Sequence, residues 1–231
     1  MSTRLHVIIF LPIADCGVQI DITSQQLLDE LTPSNMSASY LEAITVRRSN
    51  YALTSKSSVS DEKLQDIIKH TVKHCPSPFN SQASRVILVT GATHIKLWEA
   101  VIAALLPRMP EGEIRTRFAG GYGSVMFFED QAILDEMIKK QPFVANQFPD
   151  WNKNAAGILH ATIWTAFSLE GLAATLQHPP LTAEMIAGLD FGFDVPSTWK
   201  STAILPFGDP AAAPKEKTFL PVEDRFKVVK S

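Results

Sequence analysis

Cysteine is scarce in this chain: Cys16 and Cys75 are the only two among 231 residues. Two cysteines cannot build the disulfide framework of a small secreted domain, so we expect a reducing compartment, the cytoplasm or the nucleus. Excess positive charge is also lacking, since the formal net charge is -3. A general nucleic-acid binder normally carries a basic face, so nucleic acid is not expected as a partner.

A long hydrophobic run is missing as well. The apolar stretch at residues 5–14 is too short to cross a bilayer, which needs about 20 such residues. No small-residue cleavage pattern follows it, so neither secretion nor membrane insertion is expected. We interpret residues 1–35 as an N-terminal extension of uncertain structure, although its strand-like run is alternatively suited to a sheet edge. The compact domain is predicted at 36–231, with an extended tail from about residue 209.

Three common catalytic or cofactor motifs are absent. The strand-like run before Gly91 resembles the opening of a dinucleotide-binding domain, but the glycines that admit a pyrophosphate do not follow. His70 and His74 have the spacing of two zinc ligands without a third, so exposed histidines are the favoured interpretation. A hydrolase using Cys75 or a serine is disfavoured because no G-x-S-x-G elbow is present.

The hydrophobic periodicity predicts helices alternating with strands in one α/β or α+β domain. A helix begins near Ser37 or Ser39 as N-cap, and a second follows Ser60, a more clearly placed N-cap. The continuous apolar run at 84–90 predicts a buried central strand. Further strands are predicted at 123–130 and within 198–208, and further helices at 94–109, 130–141, 155–169 and 181–192.

The predicted helix at 155–169 is apolar on nearly every side. A helix without a polar face has to be buried all round, in a large core or in a subunit interface. This segment therefore points to a second copy of the chain or to an unusually deep core.

Polar groups suited to a ligand occur at the ends of these elements. Arg47 and Arg48 follow the first helix, and guanidinium groups bind phosphate through paired charge-assisted hydrogen bonds. The loop "CPSPFNSQ" at 75–82 carries amide side chains that can pair with the edge of a heterocycle, although a solvated turn is the simpler interpretation. The bend at Glu170 and Gly171 has backbone N–H groups that could be exposed.

Together these pieces resemble the flavin-dependent nitroreductases, in particular the fungal and bacterial branch similar to the fatty-acid-repression-mutant nitroreductases. The resemblance rests on the order of "RRS", "SPFNSQ", "LEGL", "VPSTWKSTAILPFG" and "FLPVEDRFKV", and covers about residues 36–229. It implies an α+β sandwich with a central mixed sheet between helices. It also implies an intertwined homodimer with FMN at the subunit interface.

The resemblance assigns the cofactor-binding residues. Arg47, Arg48 and Ser49 would hold the FMN phosphate. Lys217 and Arg225 in the tail would assist them, with Lys215 as a near alternative. Asn80 and Gln82 would face the flavin ring. The backbone N–H groups of Glu170 and Gly171 would donate toward the same ring.

By the same resemblance, the protein is expected to take hydride from NADH or NADPH and to reduce a nitroaromatic or quinone in a ping-pong cycle. No catalytic side chain is assigned, because the flavin carries the chemistry. Residues 153–156 and Pro179–Pro180 depart from the family pattern on the side where the small aromatic acceptor is expected. The alternative function is a flavin-binding sensor or scaffold without turnover.

Overall fold

The structure is a computed structural model that describes residues 33–105, 112 and 115–230. The chain divides into two units, Met1–Val46 and Arg47–Ser231. The predicted extension at residues 1–35 lies almost wholly outside the described residues and stays a prediction. In chain order the elements are α1 (Pro33–Val46), α2 (Asp61–His74), β1 (Ser84–Thr90), α3 (Gly91–Leu105), β2 (Gly123–Asp130), α4 (Gln131–Lys140), α5 (Phe148–Leu169), β3 (Ala173–Ala174), α6 (Ala183–Ala187) and β4 (Trp199–Gly208).

The four strands form one sheet in the order β1-β2-β4-β3, in which every neighbouring pair is antiparallel. The sequence analysis predicted a mixed sheet. The only parallel pairing among the described residues is the isolated bridge between Ser49 and Ala174. The central position predicted for β1 is wrong, because β1 lies at an edge. Its continuous apolar run has another cause: alternate residues pack into a different core on each face, Ile87 and Val89 on one and Val86 and Leu88 on the other.

Helices cover both faces of the sheet, which confirms the α+β class. On β2, Met126 faces the core formed with α3 and α6, and its neighbour Val125 faces the core formed with α2 and α5. This alternation is the two-residue period of a strand. Every residue of β2 is buried, so β2 and not β1 is the hydrophobic centre of the fold.

Helix α2 forms as its sequence predicts. The Ser60 side chain accepts a hydrogen bond from the Lys63 backbone N–H at 3.3 Å, and Leu64, Ile68 and Thr71 are buried. The predicted start of α1 is wrong, because this helix begins at Pro33 and both proposed caps, Ser37 and Ser39, lie inside it.

Helix α5 is the longest in the described part of the chain and is only half covered there. One side packs into the protein through Phe148, Leu159, Ile163 and Phe167. Another side leaves large apolar side chains in solvent, and their exposed fractions are 39% for Trp151, 46% for Ile158 and 60% for Leu169. The burial on all sides predicted from the sequence is therefore not reached within one chain.

A buried hydrogen-bonded chain connects α3 to β2. The Trp98 indole N–H donates to Ser124 Oγ at 3.0 Å, and Ser124 Oγ lies 3.1 Å from His94 Nδ1. His94 Nε2 lies 3.2 Å from the Ala119 carbonyl, so it carries the proton and donates it, while Nδ1 accepts from the serine. Burial lowers the pKa of His94 to about 4, which keeps the imidazole neutral.

This histidine predicts an acid-sensitive fold. Between pH 6.5 and about 4 the unfolded chain binds a proton that the folded chain refuses, so stability is lost as the pH falls through this window. We expect His94 to account for about 2 kcal/mol of the loss in unfolding free energy between pH 7 and 5. Urea titrations of His94→Gln should show a correspondingly smaller loss, whereas exposed His74→Gln should behave like the wild type. Equal losses in all three proteins would contradict this account.

No helix in the described ranges is long and apolar enough to cross a bilayer. Over the same residues, no group of three or more His, Cys, Asp and Glu side chains could hold a metal ion. Cys75 is a free thiol at the end of α2. Neither the histidine pair at 70 and 74 nor this thiol therefore belongs to a larger cluster there.

Candidate functional site

The segment after α1 is fixed between two distant parts of the chain. The Asn50 N–H donates to the Ala174 carbonyl at 3.0 Å, and the Asn50 side-chain amide donates to the Ala212 carbonyl at 2.8 Å. Arg48 donates to the carbonyl of Lys215. The chain that leaves α5 and the first residues of the tail are thus held against the predicted phosphate-binding residues.

Arg47 has an aromatic neighbour that the sequence analysis did not predict. Its guanidinium carbon lies 4.2 Å from the centroid of the Trp164 ring, a cation–π contact with α5. Partial burial, and then the adjacent charge of Arg48, lower the pKa of Arg47. Bound phosphate would offset both effects by adding a negative charge beside the two arginines.

Arg47 opens onto a cavity of about 500 Å³. One wall is a single face of α5, and the other comes from the segment after β3 and from β4. Ten residues line it: Arg47, Lys153, Ala156, Gly157, His160, Ala161, Trp164, Leu176, His178 and Thr202. None of these ten is acidic. The volume is within the range of small-molecule and cofactor sites.

The α5 wall combines a flat surface with a hydrogen-bond donor. Ala156, Gly157 and Ala161 present small side chains to the cavity, and a Cβ added at Gly157 would meet no atom within 4 Å. The indole N–H of Trp164 is buried and has no hydrogen-bond partner among the described residues. A buried N–H costs free energy unless it is paired, so this donor favours a ligand that carries an acceptor.

A bulge in the sheet shapes the opposite wall. The pairing register between β2 and β4 shifts at Phe127/Phe128, which leaves Thr202 as the extra residue on β4. Bulges re-aim side chains and are frequent beside active sites. Thr202 Oγ1 lies 3.2 Å from the Phe127 carbonyl and 3.4 Å from His160 Nε2.

The predicted ring-binding loop lies on another side of α5. Phe79, in the short helix Pro78–Asn80, packs against Trp151 with ring centroids 6.3 Å apart. Trp151 and His160 are nine residues apart, so at about 100° per residue they point in opposite directions from the helix axis. Asn80 and Gln82 are not among the residues that line the cavity of their own chain.

This loop is also strained. Phe79, Asn80 and Gln82 have φ angles of 51°, 52° and 51°, a region that residues other than glycine seldom occupy. The Gln82 N–H donates to Ser77 Oγ at 3.0 Å, and Ser81 Oγ is buried with no partner in the part of the chain that the structure describes. Strain of this kind clusters at ligand-binding segments.

The structure places Glu170 and Gly171 at the end of α5. The Glu170 carboxylate pairs with Lys63 at 3.3 Å, and Gly171 turns the chain with a φ of 84°. The N–H groups of both residues already donate to backbone carbonyls, those of Ala166 and Ser168. Neither residue lines the cavity, whose wall on this segment is formed by Leu176 and His178.

The tail beyond residue 210 is extended and exposed, apart from the short helix Val222–Asp224. Lys217 lies over the Phe219 ring at 5.1 Å, and Arg225 donates to the Leu220 carbonyl at 3.5 Å. Lys215 is the tail lysine whose backbone meets Arg48. The structure thus brings Lys215, the alternative candidate, next to the arginine pair.

Helices lie on both faces of an antiparallel sheet and a cation-rimmed cavity lies beside α5, so the chain is an α+β protein with a candidate ligand site. The model of the nitroreductase family matches residues 44–209, and the chain belongs to that family. Nitroreductase FRM2 of Saccharomyces cerevisiae is 36% identical over 189 residues, which span 78% of this chain and 93% of FRM2.

Solved structures agree with this assignment. Nitroreductase CinD from Lactococcus lactis, in complex with chloramphenicol, is 36% identical with a TM-score of 0.74, and the match covers 83% of this chain and all of CinD. A nitroreductase-type protein from Desulfovibrio desulfuricans in complex with FMN has a TM-score of 0.57 over 82% of this chain and 96% of its own. At 21% identity, the latter likeness shows the common fold alone.

The sequence analysis predicted Arg47 but missed most of the cavity wall. Lys153, His160 and Trp164 recur along α5 at spacings of seven and four residues, which places them on one face. That periodicity could have identified these three residues. No pattern in the sequence could have identified Thr202, because its position depends on a bulge formed between two strands.

Proposed function

We propose that the protein is an FMN-dependent oxidoreductase that takes hydride from NADH or NADPH and reduces nitroaromatic or quinone-type acceptors. The observation that carries the proposal is the cavity beside Arg47, in which a half-buried guanidinium, an unpaired indole N–H and a wall of small residues meet. The family and the fold make flavin the expected cofactor. We keep the cytoplasm as the expected location.

These residues fit the parts of FMN. Arg47 and Arg48 supply guanidinium groups for a phosphate, and the exposed Ser49 adds a hydroxyl. Ala156, Gly157 and Ala161 offer a surface on which a planar ring can lie, and the Trp164 N–H requires an acceptor. The remaining assignments stay predictions: those of Lys217, Arg225, Asn80, Gln82, Glu170 and Gly171.

When bound, FMN would supply the redox chemistry by accepting hydride and passing electrons to the acceptor. The chain's own residues bind and orient it. Arg47 is held in place by Trp164, and Arg48 by the Lys215 carbonyl, so both guanidinium groups are positioned before the ligand arrives. Pre-positioned charges bind a ligand with less loss of conformational freedom.

We further propose that the working unit is a homodimer. Asn80 and Gln82 do not line the cavity of their own chain, so we place them beside a flavin ring in the cavity of a second copy. The apolar stripe of Trp151, Ile158 and Leu169 is exposed on the same long helix and is suited to cover by that copy. Exchange of the 77–82 loop between two copies would follow the symmetry of an isologous dimer.

The stripe gives a test of the dimer. Replacing Ile158 with glutamate should convert the protein to monomers and lower its flavin content, because a carboxylate would be buried against the partner copy at a cost of several kcal/mol. Sedimentation and flavin absorbance would measure both effects. Val72 is 40% exposed on α2, and Val72→Glu is the matched control that should stay dimeric. A dimeric, flavin-loaded Ile158→Glu protein would contradict the proposed interface.

Turnover distinguishes the enzyme from the sensor or scaffold. With oxygen excluded, the purified, FMN-loaded protein should oxidise more than one NADH or NADPH per flavin only when a nitroaromatic or a quinone is added, and each acceptor should be consumed in proportion. CinD in complex with chloramphenicol, itself a nitroaromatic, supports this choice of acceptor. A flavin-loaded protein that oxidises neither nicotinamide with any such acceptor would overturn the enzymatic proposal and leave flavin binding in place.

A further inference from the structure

A histidine on α5 presents a hydrogen-bond acceptor to the cavity. His160 is 7% exposed and lines the cavity beside the Phe127 ring, with centroids 4.3 Å apart. The Thr202 hydroxyl donates to the Phe127 carbonyl, so its oxygen is left to accept from His160 Nε2–H. With the proton on Nε2, the lone pair of Nδ1 is the free acceptor of the ring.

The imidazole stays neutral in this position. Burial first, and the charge of His178 second, lower the pKa of His160 to about 4. Arg47 and Lys153 also line the cavity, and Lys153 is paired with Asp150 at 2.9 Å. The lone pair of Nδ1 is therefore available across the physiological pH range.

This acceptor differs from its surroundings. Arg47 and the Trp164 indole supply donors, and the Thr202 oxygen is already engaged by His160. His178 contributes a second imidazole to the wall. A ligand that meets Arg47, Trp164 and His160 therefore needs acceptors and one donor. The pyrimidine edge of an oxidised flavin has this arrangement, because its single N–H, N3, lies between two carbonyl groups.

We propose that His160 Nδ1 accepts a hydrogen bond from flavin N3–H and thereby fixes the orientation of the ring in the cavity. This inference rests on the proposed flavin function. In it His160 is a positioning residue for the cofactor and transfers no proton. Thr202 acts through His160, because it sets which nitrogen carries the proton.

A modified cofactor tests the contact directly. Apoprotein is titrated with FMN and with 3-methyl-FMN, in which a methyl group replaces the N3 hydrogen, and binding is followed by quenching of flavin fluorescence. The wild type should prefer FMN by about three- to tenfold, as expected for one neutral hydrogen bond. His160→Leu should lose this preference, because its side chain accepts no hydrogen bond from either flavin.

Two further variants separate the contact from a general loss of fold. Thr202→Val removes the acceptor that fixes the tautomer, so the preference should fall while the shape of the side chain is kept. His178→Leu, also at the cavity wall, should keep the wild-type preference. Equal wild-type affinities for the two flavins, or an unchanged preference in both His160→Leu and Thr202→Val, would overturn the inference alone. Failure of the wild type to bind either flavin would overturn the flavin proposal with it.

Discussion

Replacing Arg47 and Arg48 together with alanine is expected to strip the purified protein of FMN while leaving the apoprotein folded. Each charge-assisted hydrogen bond to phosphate contributes about 1.5–3 kcal/mol, so losing two should weaken FMN binding about 10²–10⁴-fold. The fold should tolerate the change, because neither side chain is part of a buried core cluster. Visible absorbance gives the flavin per protomer, and a fluorescence titration of the apoprotein gives the dissociation constant.

The control is another adjacent basic pair. Lys139 and Lys140 end α4, where both are exposed, and their double alanine variant removes the same formal charge. It should retain wild-type flavin content, which would show that position and not overall charge matters. An Arg47→Ala/Arg48→Ala protein with the flavin content of the wild type would refute the phosphate assignment.

Filling the cavity from α5 is expected to separate stability from binding. At Gly157 an added Cβ meets no atom within 4 Å, so a side chain can leave the helix there without a clash at its first carbon. Removing a glycine from a helix interior should raise the unfolding free energy by up to about 1 kcal/mol. The same leucine would occupy the surface on which we place the flavin ring, so flavin content should fall to near zero.

Alanine at the same position is the matched control. Gly157→Ala should gain the unfolding free energy expected from the higher helix propensity of alanine. It should also keep the flavin, because a methyl group leaves the cavity largely open. Denaturant unfolding of the apoproteins and flavin content of the purified proteins supply the two readouts. A Gly157→Leu protein that remains fully loaded would place the flavin elsewhere.

The elements that the sequence predicted best are those governed by local patterns. The cap at Ser60, the apolar face of α2 and the strand at 123–130 are read from residues that are neighbours along the chain. The edge position of β1 was not predictable in this way, because a strand buried from both faces has the same apolar run at an edge as in the centre.

The site shows the same division. Arg47 was predicted because its motif is contiguous, "RRS", and because a family resemblance gave that motif a role. Trp164 and Thr202 reach the same cavity from 117 and 155 residues further along, and only the packing of α5 against the sheet brings them there. The bulge that aims Thr202 depends on a register shift between two strands, which no local pattern records.

The length of α5 explains why one chain looks incomplete. Besides the side that packs into the core, α5 carries two different surfaces. One is a cavity wall along His160 and Trp164, and the other is an apolar stripe through Trp151, Ile158 and Leu169. The sequence predicted that α5 is buried on all sides. The described chain buries the side that packs on the sheet and part of the side that lines the cavity. A partner copy is the simplest source of the rest, and the proposed exchange of loops at 77–82 gives that partner a place in the site.

The visible absorbance spectrum of the freshly purified protein tests the central claim most directly. The account predicts the bands of oxidised flavin, and it predicts that they bleach when NADH or NADPH is added without oxygen and return when a nitroaromatic or quinone follows. A colourless protein that stays colourless after incubation with FMN would contradict the account. The fold would then be a nitroreductase fold that has lost its cofactor.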